Sequence, residues 1–210
     1  MRTLVIETAT AACSVALIDG GRVIANAHEI VQRGHAERLI PMIAALPGEG
    51  RAPRILVDVG PGSFTGVRVG LAAAIGLGIG WSARVEGYSS LALIAAAGFA
   101  ADPSAPQLAV VLEGGHGEVF MQIFNASPFG AETPLRSLAP AAALEVLGET
   151  PAIGSGAHRL AAIAPDHALA GAWPNASDAL LLPPECTALP PTPVYGRAPD
   201  ARTLAERGLA

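Results

Sequence analysis

The segment GPGSFTG, residues 60 to 66, sets three glycines and two hydroxyls between the apolar run ILVDV and the apolar stretch that opens at Val67. That order reads as strand, loop and helix start. Backbone N–H groups at a helix start point outward at the positive end of the helix dipole, so they bind anions. Gly60, Gly62, Ser63, Thr65 and Gly66 are therefore candidate phosphate ligands, with Arg68 one turn on as an added charge. The same glycines equally serve a tight turn and close helix packing, and the loop alone leaves both readings open. Glu7 and Thr8, ending the first apolar run, form a second candidate set. A carboxylate and a hydroxyl there can hold a metal's water shell beside a phosphate, or simply accept hydrogen bonds from a loop.

The remaining reactive side chains do not assemble. His35 stands beside Glu37 and Arg38 with no second histidine at i+3 or i+4, so it reads as solvated or capping rather than as a metal ligand. His116, His158 and His167 occur singly in loop-like contexts, and Ser63 and Ser89 lie in no GxSxG elbow. Cys13 and Cys186 make no CxxC pair or zinc spacing, which fits a reducing cytoplasm. All 13 basic side chains are arginine, so a Walker-type loop and Schiff-base chemistry, both needing Lys, are excluded. With a net charge of −5 and scattered arginines, nucleic acid is not bound by this chain unaided. The opening MRTLVIETAT is too short an apolar core for a signal peptide, and Val69 to Ala83, the longest apolar stretch, falls short of a bilayer span. No cofactor, metal or membrane is expected.

The elements that would position these residues follow from hydrophobic periodicity. Residues 3 to 8, 13 to 19 and 21 to 29 read as three successive strands, with Asp19-Gly20-Gly21 turning between the second and third. Leu39, Met42, Ile43 and Leu46 fall at i, i+3, i+4 and i+7, predicting a helix over His35 to Leu46 with a kink at Pro41. A buried strand is predicted at 54 to 60, a helix over Thr65 to Trp81 capped by Thr65, a strand at 85 to 89 and an Ala-rich helix at 90 to 100. After a linker at 102 to 106, strands at 107 to 114 and 117 to 125 restart the pattern. A short strand and turn at 151 to 156 sits between helices at 139 to 147 and 156 to 164. From Pro183 onward prolines forbid a long helix and predict a tail packed over the body. Strands followed by alternation with helices, twice over, predict an α/β protein of two related lobes, residues 1–102 and 103–210.

The second predicted helix is apolar nearly all round, and Gly66/Gly70 and Gly76/Gly80 repeat a GxxxG spacing. Interior helix glycine costs about 1 kcal/mol relative to Ala, so a close backbone approach must compensate. Burial within the chain and a shared interface, with the first helix as companion, meet that need equally.

The segments LVIETATAACSVAL (4 to 17), GHAERLIPMI (34 to 43), VGPGSFTGVRVGLAAAIGLGIG (59 to 80) and PVYGRAPDAR (193 to 202) together resemble the bacterial TsaB family, also called YeaZ. The loop-helix segment carries most of the resemblance; the second half of the chain matches thinly. It implies two ribonuclease-H-like lobes of the acetate and sugar kinase, heat-shock-protein 70 and actin type. It further implies a non-catalytic partner of TsaD in the complex that, with the ATPase TsaE, forms threonylcarbamoyladenosine next to the anticodon of tRNAs reading A-starting codons. Chemistry and metal would belong to TsaD, and tRNA would be met only through the complex.

Carried over residue by residue, the family's partner surface falls on His35, Leu39, Met42, Ile43 and Leu46 of the first helix. On the second it falls on Val67, Gly70, Leu71, Ala74, Ile75 and Gly78. The occupant would be TsaD or, in a homodimer, a second copy. Departures are Glu7 for the family's usual Asp, EGGHGEVF (113 to 120) for its DAR-x-x-EVY phrase, and LLPPECTALPP (181 to 191) where a helix is expected. The alternative is a small-molecule kinase or ATP hydrolase using Glu7, Thr8 and the GPGSFTG loop with bound nucleotide. A peptidase lacks any visible triad.

Overall fold

The computed structural model describes residues 1–197. Residues 198 to 202 of the tail phrase lie outside them.

The first sheet is built from β1 (Thr3–Glu7), β2 (Ala12–Asp19), β3 (Arg22–Ile30), β4 (Arg54–Asp58) and β5 (Arg84–Tyr88), in the order β3-β2-β1-β4-β5. β2 is antiparallel to β1 and β3, while β4 lies parallel to β1, and β5 to β4. Parallel neighbours need crossovers, supplied by α1 (His35–Ala44) before β4 and α2 (Phe64–Trp81) before β5. Then α3 (Ser90–Ala101) leads to a second sheet of β6 (Gln107–Glu113), β7 (Val119–Ala126), β8 (Phe129–Ala131) and β9 (Arg136–Leu138). Beyond α4 (Pro140–Leu147) it continues with β10 (Ala152–Ile153), α5 (Ala157–Ala161) and β11 (Leu169–Ala170). Its order β8-β7-β6-β10-β11, antiparallel on one side of β6 and parallel on the other, repeats the first sheet with shorter outer strands. β8, β9 and β11, absent from the sequence expectation, have only two or three residues each, too few to show an alternating pattern.

Strand alternation sends each sheet's side chains into two cores. Leu4, Ile6, Val15, Leu17, Ile55 and Val57 pack under α1 and α2. Val5, Ala16, Leu56 and Tyr88 face α3, which also meets Val110, Leu112, Phe120 and Phe124 of the second sheet. α3 is therefore apolar on all sides because it lies between the sheets. α4 and α5 cover the far face of the second sheet through Ala143, Leu147 and Leu160.

Several boundaries differ from expectation. α2 is capped by Ser63, whose Oγ accepts the Gly66 N–H at 3.2 Å, and not by Thr65, which lies inside the helix. Ser63 is fixed there because its own N–H donates to the Ala9 carbonyl at 2.6 Å. α1 runs through Pro41 and ends at Ala44, after which the Ala45 N–H still reaches the Pro41 carbonyl. α2 is also long and apolar enough by length and composition to cross a membrane, with 18 residues and a mean hydropathy of 1.4, so the expected shortfall does not hold. In this fold one side of α2 packs on β1, β4 and β5. The Pro-rich tail does lie over the body, pairing Leu189 with Gly87 on the open edge of β5.

Candidate functional site

Three strands that run side by side end in three buried oxygen-bearing side chains: Glu7 on β1, Asp58 on β4 and Tyr88 on β5. Glu7 Oε1 accepts the Ala9 N–H at 2.9 Å, and Oε2 lies 3.0 Å from the Tyr88 hydroxyl. Asp58 Oδ1 accepts two backbone N–H groups, Gly60 at 3.0 Å and Ser90 at 2.9 Å. Among the described residues, Asp58 Oδ2 is buried with no donor around it in an all-ionised cluster. A proton on Glu7 supplies that donor. Burial raises both carboxyls, Glu7 well above its ordinary range, with the Asp58 charge as a further cause, and Asp58 to about 7. The two backbone donors favour charge on Asp58, so the pair holds its shared proton on Glu7.

This arrangement overturns the metal-shell reading of Glu7 and Thr8. Glu7 has no exposed surface and spends both oxygens inside the protein. Thr8 is buried too, its hydroxyl donating to the Gly66 carbonyl at 2.8 Å. The cluster instead ties three loops together: the β1–β2 connection through Ala9, the GPGSFTG loop through Gly60, and the start of α3 through Ser90. Asp58 and Tyr88 were missed by sequence reasoning. The signal present was an aspartate inside the apolar run RILVDVG, a position where a charged side chain needs partners.

The GPGSFTG residues come together, and their glycines are used for packing. Gly60 has a φ of 97°, a left-handed value that favours glycine, and a Cβ there would sit 2.9 Å from the Val194 carbonyl. A Cβ on Gly62 would strike the Ala9 backbone, one on Gly66 the Thr8 carbonyl, and one on Gly70 the Thr8 hydroxyl. Of the N–H groups at the helix start, that of Gly66 is met by the Ser63 hydroxyl and that of Val67 by the Ser63 carbonyl. Thr65 is exposed, and Arg68 lies over the Phe64 ring, 3.4 Å from its centroid, and donates to the Tyr195 hydroxyl. The loop borders a cleft of about 790 Å³ between the two sheets, walled by Ala9–Ala11 on one side and Glu113–His116 on the other.

The residue-level assignment of the partner surface needs correction. Leu39, Met42, Ile43 and Leu46 of the α1 segment, and Val67, Leu71 and Ala74 of α2, are buried in the chain's own core against β1, β2 and β4. Gly70 and Gly78 face inward as well. His35 is neither solvated nor outward: its ring is buried, and Nε2 lies 2.9 Å from the Thr10 carbonyl and 3.1 Å from that of Ala12. With only acceptors there, Nε2 carries the proton and pins α1 to the β1–β2 turn. Only Ile75 of the predicted set points outward, 44% exposed. Ile79, one turn further along the same side of α2, is 79% exposed, and Ile40 on the adjoining α1 is 49% exposed.

The four GxxxG glycines divide in the same way. Gly66 and Gly70 admit Thr8, whereas a Cβ on Gly76 or Gly80 would meet nothing within 4 Å among the described residues. Gly76→Ala and Gly80→Ala are expected to stabilise the isolated chain by about 1 kcal/mol each, because helix propensity improves with no clash. Gly70→Ala is expected to destabilise it by about 1–3 kcal/mol through overpacking against Thr8. Thermal unfolding of the three variants checks the contrast; equal effects at all three sites would refute the inward and outward assignment.

Two sheets of one repeated order, facing each other across a cleft with a helix between them, define the two-lobed α/β class of sugar kinases, heat-shock protein 70 and actin. Residues 22–127 match the family described as TsaD, tRNA N6-adenosine threonylcarbamoyltransferase. The chain is 44% identical over 104 residues to the tRNA threonylcarbamoyladenosine biosynthesis protein TsaB of Escherichia coli, covering 45% of this chain and 43% of that one. It is 32% identical over 171 residues to the tRNA N6-adenosine threonylcarbamoyltransferase of Solidesulfovibrio magneticus, covering 71% and 42%. The crystal structure of a Pseudomonas aeruginosa protein described as similar to peptidase YeaZ superposes with a TM-score of 0.77 at 26% identity, covering 93% of this chain and 99% of that one. The chain belongs to the TsaB (YeaZ) branch of the TsaD family. The matched stretch spans less than half the length of the curated relatives.

Proposed function

We propose that this chain is a non-catalytic subunit that binds a TsaD-type transferase through the outward sides of α1 and α2, in the pathway that places threonylcarbamoyl on tRNA adenosine. The observation that carries the reading is the pairing of Ile75 and Ile79 with Gly76 and Gly80 on one open helix side. Large apolar groups there stay in water, and the two glycines have no internal neighbour to explain them. A partner helix supplies both missing gains: it covers the isoleucines, and it approaches the backbone closely where side chains are absent. TsaE and tRNA would join through that complex, and a second copy of this chain is the competing occupant of the same side.

Co-expression with TsaD from the same organism, followed by size exclusion with light scattering, tests the reading. The expected result is a stable hetero-complex, together with a requirement for this chain in reconstituted tRNA modification. Full modification by TsaD, TsaE and the adenylate source without it would refute the proposal. The cleft favours a second reading, a nucleotide-dependent enzyme. Micromolar binding of Mg-ATP to the isolated chain, about −8 kcal/mol by calorimetry, would favour that reading instead.

A further inference from the structure

The tail's last described residues enter the cleft and touch both sheets' loops. On the first side, the Val194 N–H donates to the Val59 carbonyl at 2.7 Å, and the Val194 carbonyl rests against Gly60, where any Cβ would intrude. Tyr195 packs on Phe64, ring centroids 5.9 Å apart, and its hydroxyl accepts from Arg68 at 2.8 Å. Arg68 lies over the Phe64 ring, 3.4 Å from its centroid, with the Tyr195 centroid 5.6 Å away. On the second side, Gly196 lies so close to Phe120 that a side chain there would collide with the ring. Arg197 pairs with Glu118 at 3.6 Å and meets His116 Nδ1 at 2.6 Å. Four consecutive residues thus grip the start of α2 and the β6–β7 turn at once.

We propose that residues 194–197 are a closure strap: they hold the two lobes together across the cleft, with Tyr195 anchored on the first lobe and Arg197 on the second. The strap's position is built rather than incidental. The glycine at 60 makes room for its backbone, the glycine at 196 makes room for Phe120, and an aromatic–guanidinium stack and an ion pair fasten its two ends. Because Phe64 and Arg68 belong to the first turns of α2, the strap also couples cleft closure to the placement of that helix.

Hydrogen exchange on the full chain tests this with two independent variants. Gly196→Val pushes the strap off Phe120 without removing a charge, and Tyr195→Ala removes the stack on the first lobe. The expected result for both is exchange at least about tenfold faster at residues 60–66 and 114–118, with β1 and β6 unchanged. Unchanged rates in the two loops would overturn the proposal. So would acceleration confined to residues 190–197, or a uniform rise that includes β1 and β6, since the tail would then contribute either nothing or only global stability.

Discussion

Replacing Ile75 and Ile79 together with glutamate is expected to leave the chain folded and to abolish its complex with TsaD. Ile79 is 79% and Ile75 44% exposed in the isolated chain, so charge there changes folding stability by no more than about 1 kcal/mol. In an interface the same two carboxylates would be dehydrated without partners. At a few kcal/mol each, affinity falls by roughly a thousandfold or more. Leu71→Glu is the contrasting variant. Leu71 is only 5% exposed, in the core formed with β1 and β4, so glutamate there unfolds the protein and reports nothing about the partner. Circular dichroism separates the two cases, and size exclusion with TsaD reads the complex. Undiminished co-elution of the Ile75/Ile79 variant would place the interface elsewhere.

Glu7→Ala carries the second large effect, on stability. It strips the partner from the buried Ala9 N–H and the donor that a protonated Glu7 offers Asp58 Oδ2, while the Tyr88 hydroxyl keeps the Ile6 carbonyl, at a cost of about 2 kcal/mol or more and a fall in Tm of about 4 °C or more. Glu7→Gln keeps an acceptor for Ala9 and a donor for Asp58, and is expected to lose far less. The pair also sets a pH dependence. Both folded-state carboxyls titrate above their unfolded values, so above about pH 4 the folded state holds protons that the unfolded state releases. Stability is therefore fullest on the acid side and declines as pH rises through about 7, where Asp58 ionises. The decline is shallower in Glu7→Gln, which keeps one buried carboxyl instead of two. Unfolding followed from pH 4 to 9 measures it; a stability that rises over that range would refute the shared-proton pair.

The elements were largely legible in the sequence. Short apolar runs bounded by turn residues marked β1, β2, β4, β6 and β7, and the i, i+3, i+4, i+7 set Leu39, Met42, Ile43 and Leu46 marked α1. Those four positions were then read as partner surface, but an apolar stripe on a surface helix faces its own core first. For α2 no stripe stands out, because valine, leucine and isoleucine occur all round it. Burial alone separates Val67, Leu71 and Ala74 from Ile75 and Ile79. The Glu7–Asp58–Tyr88 cluster was hidden for a different reason. Its members are separated by 51 and 30 residues, and only the register of β1, β4 and β5 makes them neighbours.

By itself, the sequence determined the order of strands and helices, the repeated architecture, the tight GPGSFTG turn and the family resemblance. All of these are local patterns or strings of residues, set by hydrophobic period, glycine and proline geometry. Only the tertiary structure decided which side of each helix faces water and which glycines have a neighbour. It also decided that Glu7 is sealed inside the protein, and that the tail reaches into the cleft to join both lobes. Those depend on what lies across from each residue in space, and long-range packing fixes that partner without leaving a periodic trace in the chain.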